Sequence, residues 1–130
     1  MPLRFRWLNS LLDPPQRKLG KPLVIEEFGM PRDGGSFEPG TPTTFKDKFY
    51  ELITGAVLDS VRSDGPIQGC NFWGWGGEGR SQHPDHHFVR GDTGYVGDPP
   101  HEPQGWYSVF DGDASTQAII RAYASALKAA

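Results

Sequence analysis

Two short apolar runs, at 23–28 (LVIEEF) and 67–73 (IQGCNFW), alternate with amphipathic helical patterns over this 130-residue chain. That alternation predicts an α/β fold with parallel strands. In such folds the loops that leave the strands carry the chemistry. Functional residues are therefore expected just past Phe28 and Trp73.

The elements follow in order. Residues 4–12 (RFRWLNSLL) carry a loose amphipathic pattern that Asp13-Pro14-Pro15 interrupts. Asp13 suits the cap of a short helix with Pro14 at its first position, and Gly20 ends it after Leu19. Lys21-Pro22 opens the first run, whose β-branched, apolar residues read as a buried strand. The stretch 29–42 (GMPRDGGSFEPGTP) is too rich in Gly and Pro to be anything but a loop.

Thr43 or Thr44 then starts the strongest helix, with Asp47 in position for a capping box. Phe45, Phe49, Leu52, Ile53, Ala56, Val57 and Val61 recur at helical spacing and predict one continuous apolar face. Asp64-Gly65-Pro66 stops the helix near Arg62. The second run, 67–73, reads as a strand. Residues 74–113 form a long Gly/Pro-rich loop, a length that marks function more often than connection. A last helix starts near 113–115 and runs to about 128, burying Ile119, Ile120, Tyr123 and Leu127.

Composition narrows the classes of function. With 17 Gly and 12 Pro among 130 residues, long ordered loops are expected, and 16 aromatics at 36% hydrophobic content suffice for a core. Lys and Arg (13) nearly balance Asp and Glu (16), and no basic run occurs, so neither a nucleic acid nor an anionic membrane surface is indicated. No segment approaches the ~20 apolar residues of a membrane span, and no secretory signal is visible in the sequence. The single Cys70 excludes an internal disulfide and a cysteine zinc finger, and reads as a small buried strand residue.

The candidate chemistry sits at the two strand ends. Glu26-Glu27 closes the first strand, and alternation lets one of the two face a pocket while its neighbour points to the opposite face. An acid there suits a nucleophile or general base; a salt-bridged strand end is the alternative. At the second strand's end, Trp73-Gly74-Trp75-Gly76-Gly77 offers two indoles with room beside them. Indole faces stack on the C–H faces of sugar rings, so a sugar platform competes with two core tryptophans. His83, Asp85, His86, His87 and Asp92 resemble a metal cluster, but no regular register aims them, and loop polarity is preferred. No glycine pattern fits a phosphate cradle. Asp98-Pro99-Pro100 and Asp111-Gly112-Asp113 read as turn and cap chemistry.

At KPLVIEEFG (21–29), GCNFWGWGG (69–77) and QGWYSVFDGD (104–113), in that order, the chain resembles glycoside hydrolase family 5, in particular its endo-β-1,4-mannanases. The resemblance covers residues 17–128, with 1–16 matched poorly, and implies a partial catalytic domain over 1–130. It implies the C-terminal portion of a (β/α)8 TIM barrel, the seventh and eighth strands with their helices. The activity implied is retaining hydrolysis of β-mannan polysaccharide or oligosaccharide, without cofactor or metal, in a secreted or periplasmic protein. It makes Glu27 the nucleophile and Trp73 the floor of the subsite where the bond breaks, with Trp75, Glu78 and Arg80 lining the cleft. The family's acid/base glutamate, on the fourth strand, has no counterpart in this sequence. The chain by itself is therefore expected to be inactive, poorly stable and prone to associate, and the poor match of 1–16 marks Met1 as an internal or misassigned start. Other readings are a related cellulase-type β-glycanase, a carbohydrate-binding module and a structural fragment.

Overall fold

Six residues of each apolar run form the central ladder. A computed structural model describes residues 20–94 and 96–130, so the patterns read at 4–12 and around Asp13–Leu19 lie outside the described residues. Strand β1 (Leu23–Phe28) pairs in parallel with β2 (Ile67–Phe72), Leu23 opposite Ile67 and Phe28 opposite Phe72. Helix α1 (Thr44–Arg62) makes the crossover, and α2 (Ala114–Lys128) packs beside it. Ile53 and Val57 of α1 close on Ile67, with Ile25, Phe28, Phe49 and Tyr123 around them. Burying each of those aliphatic side chains stabilises the fold by about 1.5–3 kcal/mol. Among the described residues β1 and β2 each pair on one side only.

The buried stripe of α1 differs from the expected apolar face. Lys46, Tyr50, Ile53, Thr54 and Val57 are buried, whereas Phe45 is 61% exposed. The first turns of the helix run under the backbone of the long loop rather than under the sheet. There the lysine is more useful than a phenylalanine: Lys46 Nζ donates to the Ser108 carbonyl at 2.7 Å. The start of α1 is also capped from outside. Asp33 accepts the amides of Thr44 and Phe45 at 3.1 and 2.9 Å. The expected capping box does not form. Asp47 instead accepts Thr43 Oγ1 at 3.1 Å and Thr116 Oγ1, tying α1 to α2.

In α2 only Thr116 is fully buried; Ile119, Ile120, Tyr123 and Leu127 are half-buried. Among the described residues the helix packs chiefly along α1, with Tyr123 reaching the core around Ile53, Val57 and Ile67. The segment 74–113 also departs from expectation, because it holds regular structure and buried apolar residues. β3 (Trp75–Gly77) pairs in parallel with β4 (Val109–Phe110), and Val96, Val109 and Phe110 are buried. Pairing answers the need of buried backbone groups for partners. Asp113 stands at the start of α2 without capping it by its side chain; its carboxylate accepts the Phe110 amide and pairs with Arg32, both partners buried.

Candidate active site

The parallel ladder ends in an irregularity that places the first candidate. Ile25 stands opposite Cys70 and Phe28 opposite Phe72, three steps against two, so β1 carries one extra residue at Glu26-Glu27. A bulge of this kind re-aims side chains. Both glutamates are exposed, and Glu27 alone of the two reaches the cavity at the strand ends.

That cavity, of about 500 Å³, is walled by Glu27, Phe28 and Gly29 from the end of β1 and by Trp73 from the end of β2. Phe49 of α1 and Pro99, Glu102 and Tyr107 of the long loop complete the wall. The two strand ends are joined directly, since the Trp73 amide donates to the Phe28 carbonyl at 2.7 Å. The Trp73–Gly74 peptide is cis. The indole Nε1 of Trp73 donates to Asp98 Oδ1 at 3.1 Å, and the other carboxylate oxygen of Asp98 accepts the Gly105 amide. The buried Gln104 side chain donates to the carbonyls of Asp98, Pro99 and Glu102, closing that loop on itself. Gly76 admits no side chain, because a Cβ there would meet the Phe110 ring at 2.7 Å.

The remaining candidates lie elsewhere. Trp75 is 57% exposed, outside the wall of this cavity. Glu78 is exposed, and Arg80 braces the loop: its guanidinium donates to the carbonyls of Gly77 and Gly79, pairs with Asp111 at 2.6 Å and covers the Phe110 ring. Trp106 packs on Phe37, which in turn stacks on His86. His83 Nε2 contacts the Asp92 carboxylate at 2.9 and 3.0 Å, and the Val89 amide with that imidazole holds Asp92 below the usual carboxylate range. Among the described residues no group of three or more His, Cys, Asp or Glu is arranged to hold a metal ion, and no helix is long and apolar enough to cross a membrane. Burial pushes the Cys70 thiol up, which leaves it a poor nucleophile.

Three cavity or near-cavity residues carry no signal of their own in the sequence reading. Glu102 follows a diproline that reads only as a turn, Tyr107 sits unremarked in 104–113, and Asp98 reads as turn chemistry. A carboxylate and an indole face on one wall, with a phenol and a second carboxylate beside them, form a surface for a polyhydroxylated ring. Indoles in general stack on the C–H faces of sugar rings, and carboxylates and phenols hydrogen-bond to sugar hydroxyls.

Comparisons with known proteins point the same way. The family profile for GH family 5 beta-mannosidase-like proteins matches residues 7–130. Mannan endo-1,4-beta-mannosidase 4 of Solanum lycopersicum is 32% identical over 80 residues, covering 62% of this chain and 19% of its own length. Mannan endo-1,4-beta-mannosidase 5 of Arabidopsis thaliana is 28% identical over 104 residues, 80% of this chain and 21% of the relative. The crystal structure of a glycoside hydrolase family 5 mannosidase from Rhizomucor miehei superposes with a TM-score of 0.76 at 38% identity, over 94% of this chain and 31% of that one. A glutamate-to-alanine variant of the same enzyme, in complex with mannosyl-fructose, superposes with a TM-score of 0.73. The chain thus spans about a fifth of these curated relatives and about a third of these solved structures.

Proposed function

Because this chain belongs to glycoside hydrolase family 5, with its mannosidases, we propose that residues 1–130 are the C-terminal part of a (β/α)8 catalytic domain that hydrolyses β-1,4-linked mannan with retention. On this reading β1 and β2 are the seventh and eighth barrel strands. The observation that carries it is the shared wall: Glu27 and Trp73 leave adjacent parallel strands at the same end and line one cavity.

The chemistry follows from that placement. Retaining hydrolysis uses two carboxyl groups about 5–5.5 Å apart, one attacking the anomeric carbon and one protonating the departing oxygen. Glu27 is the attacking group. The proton donor comes from a strand outside these residues, as the family's fourth strand supplies it. Trp73 floors the sugar at the reacting bond, while Glu102 and Tyr107 bind its hydroxyls. Trp75 extends the cleft as an exposed platform, with Glu78 and Arg80 beside it. The substrate is a β-mannan polysaccharide or oligosaccharide, and a polymer that cannot cross a membrane places the enzyme outside the cytoplasm, secreted or periplasmic.

A chimaera tests this reading, with the present chain replacing the matching third of the Rhizomucor miehei enzyme. It is expected to hydrolyse galactomannan and to release the product with retained anomeric configuration. Glu27→Gln is expected to lower kcat by roughly a thousandfold or more, as removal of a nucleophile does. Hydrolysis that survives Glu27→Gln overturns the assignment of Glu27. The chain by itself is expected to bind mannooligosaccharide without turning it over.

A further inference from the structure

We propose that Asp98 is the positioning residue of the Trp73 shelf, setting the angle of the indole and, through it, the opposite wall of the cavity. The saccharide part of this inference rests on the function proposed above.

An indole at a strand end can rotate about two side-chain bonds, and a stacking platform works only when its face is presented. Its one polar handle is the Nε1–H, so a fixed acceptor on that edge fixes the plane. Asp98 is that acceptor, at 3.1 Å. An ionised carboxylate has two accepting oxygens and no donor, which suits it to take two N–H groups at once. Asp98 does so, with the Trp73 indole on one oxygen and the Gly105 amide on the other. The Gly105 bond closes 98–105 into a ring, and Gln104 fills that ring by donating to the carbonyls of Asp98, Pro99 and Glu102. Pro99 and Glu102, both on the cavity wall, therefore hold their place relative to Glu27 through the Asp98–Trp73 link. A turn-forming aspartate would need only a local backbone partner. This one reaches across 25 positions of sequence to an indole.

The test uses the full chain and two readouts, mannotriose affinity by calorimetry and the Trp73 emission, isolated by subtracting the spectrum of Trp73→Phe. Asp98→Ala is expected to shift the Trp73 emission and to weaken mannotriose binding roughly tenfold, the scale of a lost charge-assisted hydrogen bond. Asp98→Asn keeps one acceptor but turns an amide donor toward a second N–H, and is expected to recover part of both effects. In the Trp73→Phe background, Asp98→Ala is expected to cost clearly less affinity than in the wild type, since only the Gly105 bond is left to lose. An equal loss with and without Trp73, or an unmoved Trp73 emission, overturns the proposal. Where Asp98→Ala does not fold, Asp98→Asn takes its place in the same comparisons, with the same outcomes deciding. If the wild-type chain binds no mannotriose while Asp98→Asn still moves the Trp73 emission, the saccharide reading fails and the positioning role stands.

Discussion

Gly29 lies against the carbonyl of Trp73: a Cβ at Gly29 would stand 2.4 Å from that oxygen and 2.9 Å from the Tyr107 Cβ. The exit of β1 and the exit of β2 thus approach as closely as a backbone without a side chain allows. Glu27 and Trp73 owe their common wall to this approach. Gly29→Ala must push Trp73 or Tyr107 aside, and is expected to destabilise the chain by about 1–3 kcal/mol, the usual cost of overpacking. Gly55, inside α1, is its control, since a Cβ there meets nothing within 4 Å. Gly55→Ala is expected to stabilise by about 0.5–1 kcal/mol through helix propensity. Urea unfolding of the two variants side by side measures both, and equal effects would contradict the close approach.

The cap of α1 gives a pH dependence. The backbone amide of Phe45 holds the Asp33 carboxyl below its ordinary value of 3.8, with further help from Thr44. A depressed carboxyl binds its proton less readily in the folded state than in the unfolded one. Its contribution is therefore fully present above the unfolded value and is lost as pH falls through the lower, folded value. Asp33→Ala is expected to reduce stability at pH 7 and to flatten the acid limb below about pH 4. Asp33→Asn, which keeps an acceptor for one amide, is expected to fall between the two. Urea midpoints from pH 2 to 7 check the order.

Arg32 and Asp113 tie the loop after β1 to the start of α2 through a buried ion pair, their side chains only 4% and 3% exposed. Removing one partner leaves the other charge without compensation, and such losses run to about 3–5 kcal/mol. Asp113 also accepts the Phe110 amide, so its removal frees β4 as well. Asp113→Ala is expected to show a loss in that range by chemical denaturation. The double variant Arg32→Met with Asp113→Ala is expected to be less destabilised than the sum of the single variants, because no uncompensated guanidinium remains.

What could be read from the sequence follows the same division. Strands 23–28 and 67–72 and both helices are governed by periodicity and by Gly/Pro stops, and their limits were legible to within a residue or two. Glu27 and Trp73 were legible as strand-end residues because parallel strands put their exits on one side. The bulge at Glu26-Glu27 was not, since it depends on register with the partner strand. Glu102, Tyr107 and Asp98 were hidden because the course of their loop is set by the side-chain bonds of Gln104 and Asp98, which no spacing rule encodes. Lys46 was hidden for the opposite reason. Pattern reading sends a lysine to solvent, whereas here a carbonyl of a distant loop waits beneath the helix.

That lysine supplies the last prediction. Lys46 is fully buried, and burial brings its ammonium from an ordinary 10.5 to about 8, with Asp113 opposing the shift. Between these values the unfolded chain carries the proton on Lys46 and the folded chain does not. The unfolded state then binds more protons, and the Lys46 contribution to stability rises with pH from about 8 to 10.5 and is flat below about 8. Cys70 acts in the opposite direction, because burial raises its thiol above the ordinary 9.0, so raw stability curves mix the two. Comparison with Lys46→Met separates them: the variant keeps Cys70 and fills a similar volume, but gives up the bond to the Ser108 carbonyl. The difference in unfolding free energy between wild type and Lys46→Met is expected to be constant from pH 6 to about 7.5 and to grow in favour of the wild type above pH 8. A difference that stays constant to pH 10 would place the Lys46 ammonium in contact with solvent and remove it from beneath the loop that carries Tyr107.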